Sequence, residues 1–318
     1  MRILRFCAQV LLLALAFFGT LSCKNVTLSS RSLQEELHSS PEPYDILKLF
    51  EMRQEVRQWA PRCGVSASKE NCDIGDAALF NGLLCLSGEE LSCEAVRRSQ
   101  GADGRMWRAE FRVASDAVNS FSRDMAMGVL AYLIATRDVD LARRWMTWIE
   151  ANGDRLCRES SDNRCEFTPG FWSLFREVWE YLGLPLNQQM RTAVVSDTVM
   201  ALLQSQFSPP GFELHLAAVN LLVRRSMQQR STTLDSLAQA LVSRQPENPF
   251  FAYLKHGSSG RVLQQTLQWC PRTQPTMRVQ WSFERNQDDS PWERSMGWEC
   301  VMLANFLIRD LKGDTSNR

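Results

Sequence analysis

From Tyr44 onward, apolar residues recur every three to four positions in blocks closed by glycine or proline, and they almost never alternate one by one. That period predicts helices rather than strands. Ile46, Leu47, Phe50 and Val56 share a face of a helix over Tyr44 to Ala60 that stops at Pro61. The same reading predicts helices over Asp76 to Leu86, Met125 to Thr136, Leu141 to Glu150, Phe171 to Leu182, Gln188 to Gln206 and Glu213 to Gln229. Thr233 to Arg244, Pro249 to Lys255, Arg261 to Trp269 and Trp292 to Leu311 complete the set. About eleven helices with almost no strand pattern predict an all-α fold.

Some of these helices, such as MAMGVLAYLI and WECVMLANFLI, are apolar on most faces, whereas neighbours such as DLARRWMTWIEANG keep a charged side. Alternating buried and half-exposed helices fit two layers of helical hairpins. The apolar helices tend to follow loops rich in Gly, Pro, aromatic and ionisable residues: Asp73 to Asp76, Phe121 to Asp124, Thr168 to Trp172, Ser208 to Glu213 and Asp288 to Glu293. If those helices run parallel, the loops converge on one rim, which is the candidate site. At its centre, Ser122 is a suitable N-cap and Asp124 sits in the first turn, facing the positive end of the helix dipole. Arg105, Trp107, Arg108, Glu110, Arg112, Asp116 and Arg123 crowd the loop before it. Capping alone is the structural alternative for Asp124.

The first 22 residues read as an export signal, with Arg2 and Arg5 ahead of an apolar run from Val10 to Phe18. Ser22-Cys23 resembles a bacterial lipoprotein cleavage site, with Cys23 as the lipidated residue, while ordinary cleavage and secretion is the alternative. Residues 23–43 are rich in Ser, Glu and Pro and read as a tether, and residues 44–318 as a single domain. This places the protein outside the cytoplasm, in the periplasm or at the cell surface, touching membrane only through the anchor.

Loss of the signal leaves 34 basic against 36 acidic side chains, with no basic stripe, so nucleic acid is not an expected partner. Of ten cysteines, Cys7 leaves with the signal and Cys23 is the lipid candidate. Short, loop-closing spacing suggests pairing Cys63 with Cys72, Cys85 with Cys93, Cys157 with Cys165, and Cys270 with Cys300, although spacing alone leaves other pairings open. Scattered histidines and the lack of C-x-x-C argue against zinc, and neither a metal nor another cofactor is expected.

GDAALFNGLLCLSGE, DGRMWRAEF and SFSRDMAMGVLAYLIATRD together resemble the acid-plus-apolar-helix pattern of the (α/α) toroid, or six-hairpin, glycosidases and polysaccharide lyases. The likeness covers about Gly75 to Glu150, and Trp281 to Leu311 more loosely, and no single motif is diagnostic. It implies an (α/α)6-like toroid whose cleft lies over the inner-helix ends and carries acids and sugar-stacking aromatics.

Glycoside hydrolysis needs a proton donor and an ionised carboxylate about 5–10 Å apart. The rim supplies Asp124, Asp76, Glu293 and Glu284, with Asp116, Asp288 and Asp289 behind them. A helix N-terminus favours an ionised Asp124, hence a base or nucleophile, leaving the acid to Glu293 or Glu284 beside Trp281, Phe283 and Trp292. Trp107, Trp172, Trp281 and Trp292 are candidate sugar platforms, and Arg105, Arg108 and Arg123 candidate ligands for acidic sugars, with salt bridges to nearby acids as the alternative. His215 or Tyr253 is the candidate base for lyase chemistry, with a packing role as the alternative for His215. The leading expectation is a monomeric glycoside hydrolase acting on a polysaccharide or cell-wall glycan, and the alternative a non-catalytic envelope lipoprotein serving as a helical scaffold.

Overall fold

The computed structural model describes residues 43–60, 77–114, 121–158, 163–193, 197–208, 211–273 and 297–311, all within one compact unit, Ser39–Arg318. Among the described residues there are thirteen α-helices and no strand. They are α1 (Pro43–Trp59), α2 (Ala77–Leu86), α3 (Glu90–Arg98), α4 (Arg123–Thr136), α5 (Val139–Ala151), α6 (Pro169–Tyr181) and α7 (Gln188–Thr192). Then follow α8 (Asp197–Phe207), α9 (Phe212–Ser226), α10 (Thr232–Arg244), α11 (Pro249–His256), α12 (Gly260–Trp269) and α13 (Trp298–Leu311).

Local chemistry accounts for most of the boundaries. Asp138, Thr168, Ser231, Asn248 and Ser259 each accept a backbone N–H of the helix that follows, supplying one of the bonds that a first turn lacks. Two expectations fail. Gln188 to Gln206 divides into α7 and α8, because Ala193 turns to an extended conformation and its carbonyl accepts from Arg176 at 2.8 Å. Helix α3 was not expected, since only Leu91, Ala95 and Val96 give it an apolar period.

From Met125 to Ile134 every residue of α4 is buried, so this helix is apolar all round and lies inside. It packs most extensively on α2, where Gly82 and Gly128 bring the two backbones together, and also on α6 and α9. Contacts continue from α9 to α11, from α11 to α13 through the stacked rings of Tyr253 and Phe306, and from α13 back to α2. Helices α2 and α13 run in the same direction: Phe80 stacks on Trp298, and seven residues further along each helix Ser87 accepts from Asn305 at 3.1 Å. Further contacts join α3 to α2, α8 and α10 to α9, α12 to α11, and α1 to α13.

Three disulfides join Cys85 to Cys93, Cys157 to Cys165 and Cys270 to Cys300, as the spacing suggested. Cys63, Cys72, the signal, Cys23 and nearly all of the tether lie outside the described residues. No helix of the described residues is long and apolar enough to cross a membrane.

Candidate functional site

Asp124 stands in the first turn of α4, half-buried. Ser122 occupies the N-cap position with extended backbone, but its hydroxyl makes no capping bond, which corrects the expected side-chain cap. Arg123 instead ties the start of α4 to a neighbouring segment, its guanidinium donating to the carbonyls of Asn163 (3.0 Å) and Glu166 (2.8 Å). Asn163 lies within the short loop closed by Cys157–Cys165, which carries a 3-10 turn over Asn163–Cys165, and Glu166 directly follows it. That loop is held at its base by Asn152, donating to Cys157 at 2.8 Å, and by the Arg155–Glu166 ion pair at 2.8 Å. A covalently closed loop thus fixes the start of α4 against the start of α6, which follows Glu166 by three residues.

Burial pushes the Asp124 carboxyl above the usual carboxylate range, while the positive charges of Arg123 and Arg164 pull it down. This direction is opposite to the one that the helix dipole and the two cations favour, because burial is the largest influence on the carboxyl. A carboxyl whose proton affinity is raised by burial suits a proton donor better than a base. Arg164, which the sequence reading passed over, owes its place beside Asp124 to the disulfide loop. A cation inside a short Cys-to-Cys loop was the available signal.

Two of the four expected aromatic platforms, Trp107 and Trp172, are packed against other side chains. Trp172 is only 7% exposed and stacks on Phe167 with centroids 3.7 Å apart, in a cluster with Phe171 and Phe175. Trp107, also 7% exposed, lies under the buried Arg105 guanidinium at 4.3 Å, which also faces Trp148 at 5.7 Å. Neither indole offers a free face for a sugar ring. Arg123, offered as a ligand for acidic sugars, has its guanidinium committed to backbone carbonyls, and Arg108 is half-buried. Asp76, Asp116, Trp281, Phe283, Glu284, Asp288, Asp289, Trp292 and Glu293 lie outside the described residues. Among the described residues no group of three or more His, Cys, Asp or Glu stands close enough to hold a metal ion.

His215 is fully buried in α9 rather than open to a substrate. Its Nδ1 lies 3.1 Å from the Gly211 carbonyl, its Nε2 3.4 Å from Asn248 Nδ2, and its ring faces Phe251. Burial pushes the imidazole down to about 3, so it is neutral and packs. The folded value lies below the unfolded value of about 6.5, so the stability it contributes is complete above 6.5 and is lost as pH falls towards 3. Relative to wild type, His215→Asn, which keeps a donor for Gly211, is expected to flatten the urea-unfolding stability across that window by up to about 1.4 kcal/mol per pH unit. A wild-type-to-variant difference equal at pH 7 and pH 4 would refute the neutral buried imidazole.

No protein-family model matches the chain, and comparison with curated proteins and with solved structures finds no match either.

Proposed function

We propose that this is an exported, lipid-anchored glycan-active protein, a glycoside hydrolase built on an (α/α)-toroid arrangement, with Asp124 as its proton donor. The observation that carries the reading is the half-buried Asp124 carboxyl, raised by burial, at the start of a helix buried from Met125 to Ile134. Among the described residues no hydrogen-bond donor reaches it, and the loop that braces it is covalently closed. The toroid is supported by the closed sequence of contacts through α2, α4, α9, α11 and α13, and by the parallel course of α2 and α13. Export is supported by three disulfides. The ionised partner carboxylate then comes from Asp76, Glu284 or Glu293.

The test is reducing-end release from peptidoglycan and a panel of neutral and acidic polysaccharides, wild type against Asp124→Asn. Loss of a general acid is expected to slow release by about a hundredfold or more. Stability gives an independent readout. Because Asp124 has its folded-state value raised, its ionisation costs stability as pH rises from the unfolded value through the folded one. Asp124→Asn removes that cost, so its melting temperature at neutral pH should equal or exceed wild type. A variant that melts lower, with no release by either protein, would identify a helix-start residue of a non-catalytic scaffold. The burial of Trp107 and Trp172 favours this second reading, since both platforms are filled by the protein's own side chains.

A further inference from the structure

Arg164 is an exposed cation on a turn that is anchored from both sides. The carbonyls of Asn163, just before it, and of Glu166, two residues after it, both accept from Arg123 Nη1, at 3.0 and 2.8 Å. Arg123 directly precedes Asp124, so the turn that carries Arg164 is tied to the residue next to the carboxyl. The base of the turn is held as well. Cys157–Cys165 closes it covalently, the Leu156 N–H donates to the Cys165 carbonyl at 2.8 Å, and Arg155 pairs with Glu166 across an antiparallel bridge. An exposed arginine ordinarily carries a charge with no fixed address, because holding a long side chain costs entropy. Here the backbone beneath it is fixed. Among the described residues the charges that act on Asp124 are those of Arg123 and Arg164, and both are positive.

We infer that Arg164 is a positioning residue for the proposed hydrolysis, held beside Asp124 by the Cys157–Cys165 loop so that its charge stabilises the carboxylate formed on proton transfer. The inference rests on Asp124 being the proton donor. In that step the Asp124 O–H bond breaks and its electron pair stays on the carboxylate. The proton passes to the glycosidic oxygen, which keeps the electron pair of its breaking bond, while the anomeric carbon takes water or the partner carboxylate. Burial opposes the new charge, because a half-buried carboxylate has lost part of its hydration. A donor governed by burial alone would hold its proton too firmly to give it up. A nearby cation offsets that cost only in the charged form, so its effect is larger in the transition state than in the ground state. Mounted on a covalently closed turn, it needs little rearrangement at the moment of transfer. The disulfide thereby serves the site as well as the fold.

The test is the titration of Asp124 by carbon NMR of the full chain labelled at aspartate, the resonance being identified by its loss in Asp124→Asn. The expected midpoint stays near wild type in Arg164→Lys, rises in Arg164→Gln and rises further in Arg164→Glu, with unchanged circular dichroism. In glycan release, Arg164→Gln should lower kcat about two- to fivefold, the size of one exposed ion pair, with KM unchanged and the alkaline limb of the pH profile moved upward. Repeated in the Cys157→Ala/Cys165→Ala background, the series should draw together, since the cation then has no fixed place. Midpoints indifferent to the charge at position 164 overturn the inference, and a spread as wide without the disulfide overturns the part given to the loop. Release that Arg164→Gln leaves unchanged while the midpoint rises overturns the positioning role and leaves the hydrolase standing. No release by wild type overturns the hydrolase and this role with it, whereas the midpoints still report whether the two side chains are coupled.

Discussion

Gly128→Ala is expected to destabilise the protein by about 3 kcal/mol or more, and Gly128→Val to leave no folded protein. In an ordinary helix interior the first change stabilises by about 0.5–1 kcal/mol, because glycine has more backbone freedom to lose on folding. Here the sign reverses. A Cβ at Gly128 would meet the backbone of α2, 2.8 Å from the Ala78 carbonyl carbon and closer still to the Ala78 oxygen and Leu79 Cα. Reciprocally, a Cβ at Gly82 would stand 2.6 Å from the Gly128 Cα. Backbone has no rotamer to yield, so α2 and α4 must separate, and α4 is also packed on α6 and α9. Urea unfolding of Gly128→Ala beside Gly183→Ala checks this. At Gly183 a Cβ meets nothing within 4 Å, and only its positive φ of 69° opposes the change. Equal losses at the two sites would show that conformational strain, not helix separation, sets the cost.

The close approach of α2 and α4 explains why part of this fold is legible from sequence and part is not. That α4 is buried could be read from ten successive apolar or small residues, and the starts of α6, α11 and α12 from Thr168-Pro169, Asn248-Pro249 and Ser259-Gly260, because period and caps are local signals. Which face of a helix points inward is also local when the large residues lie together. In α8 that rule misleads, since the large residues point outward. Short α3 owes its position to Cys85–Cys93 as much as to its own pattern.

At the candidate site, Asp124 was legible as a helix-start acid, but its proton affinity was not. Sequence displays the dipole and the adjacent Arg123. The opposing desolvation depends on how closely other segments cover the carboxyl, and that is a property of the assembled core. The two tryptophans fail for a related reason. A loop position suggests an open ring, whereas the partners that close over Trp107 and Trp172 are Arg105, two residues away, and Phe167, five away. Neither spacing is helical, so no periodic signal announces the stack.

Arg224 shows the same limit inside a helix and carries the second large effect. It is 1% exposed in the last turn of α9, where a cation also meets the negative end of the helix dipole. Its Nε lies 2.9 Å from Glu177 Oε2, its Nη2 donates to Glu177 Oε1 at 3.0 Å, and its Nη1 donates to Asn220. Glu177 belongs to α6, so nothing near Arg224 in sequence announces the pair. Arg224→Met fills much of the same space but leaves the Glu177 carboxylate without its cation. The expected loss is about 3 kcal/mol, the lower end for breaking a buried pair because the Glu177 side chain keeps 18% exposure. Glu177→Leu strands the more deeply buried guanidinium and should cost at least as much. Removing both charges together is a different matter, since two apolar side chains need no desolvation to be repaid. The double variant should therefore recover more than half of the summed single losses in urea unfolding, a coupling that only a direct interaction produces. Strictly additive losses would mean that Arg224 is held by its other contacts and that Glu177 contributes little to the packing of α9 against α6.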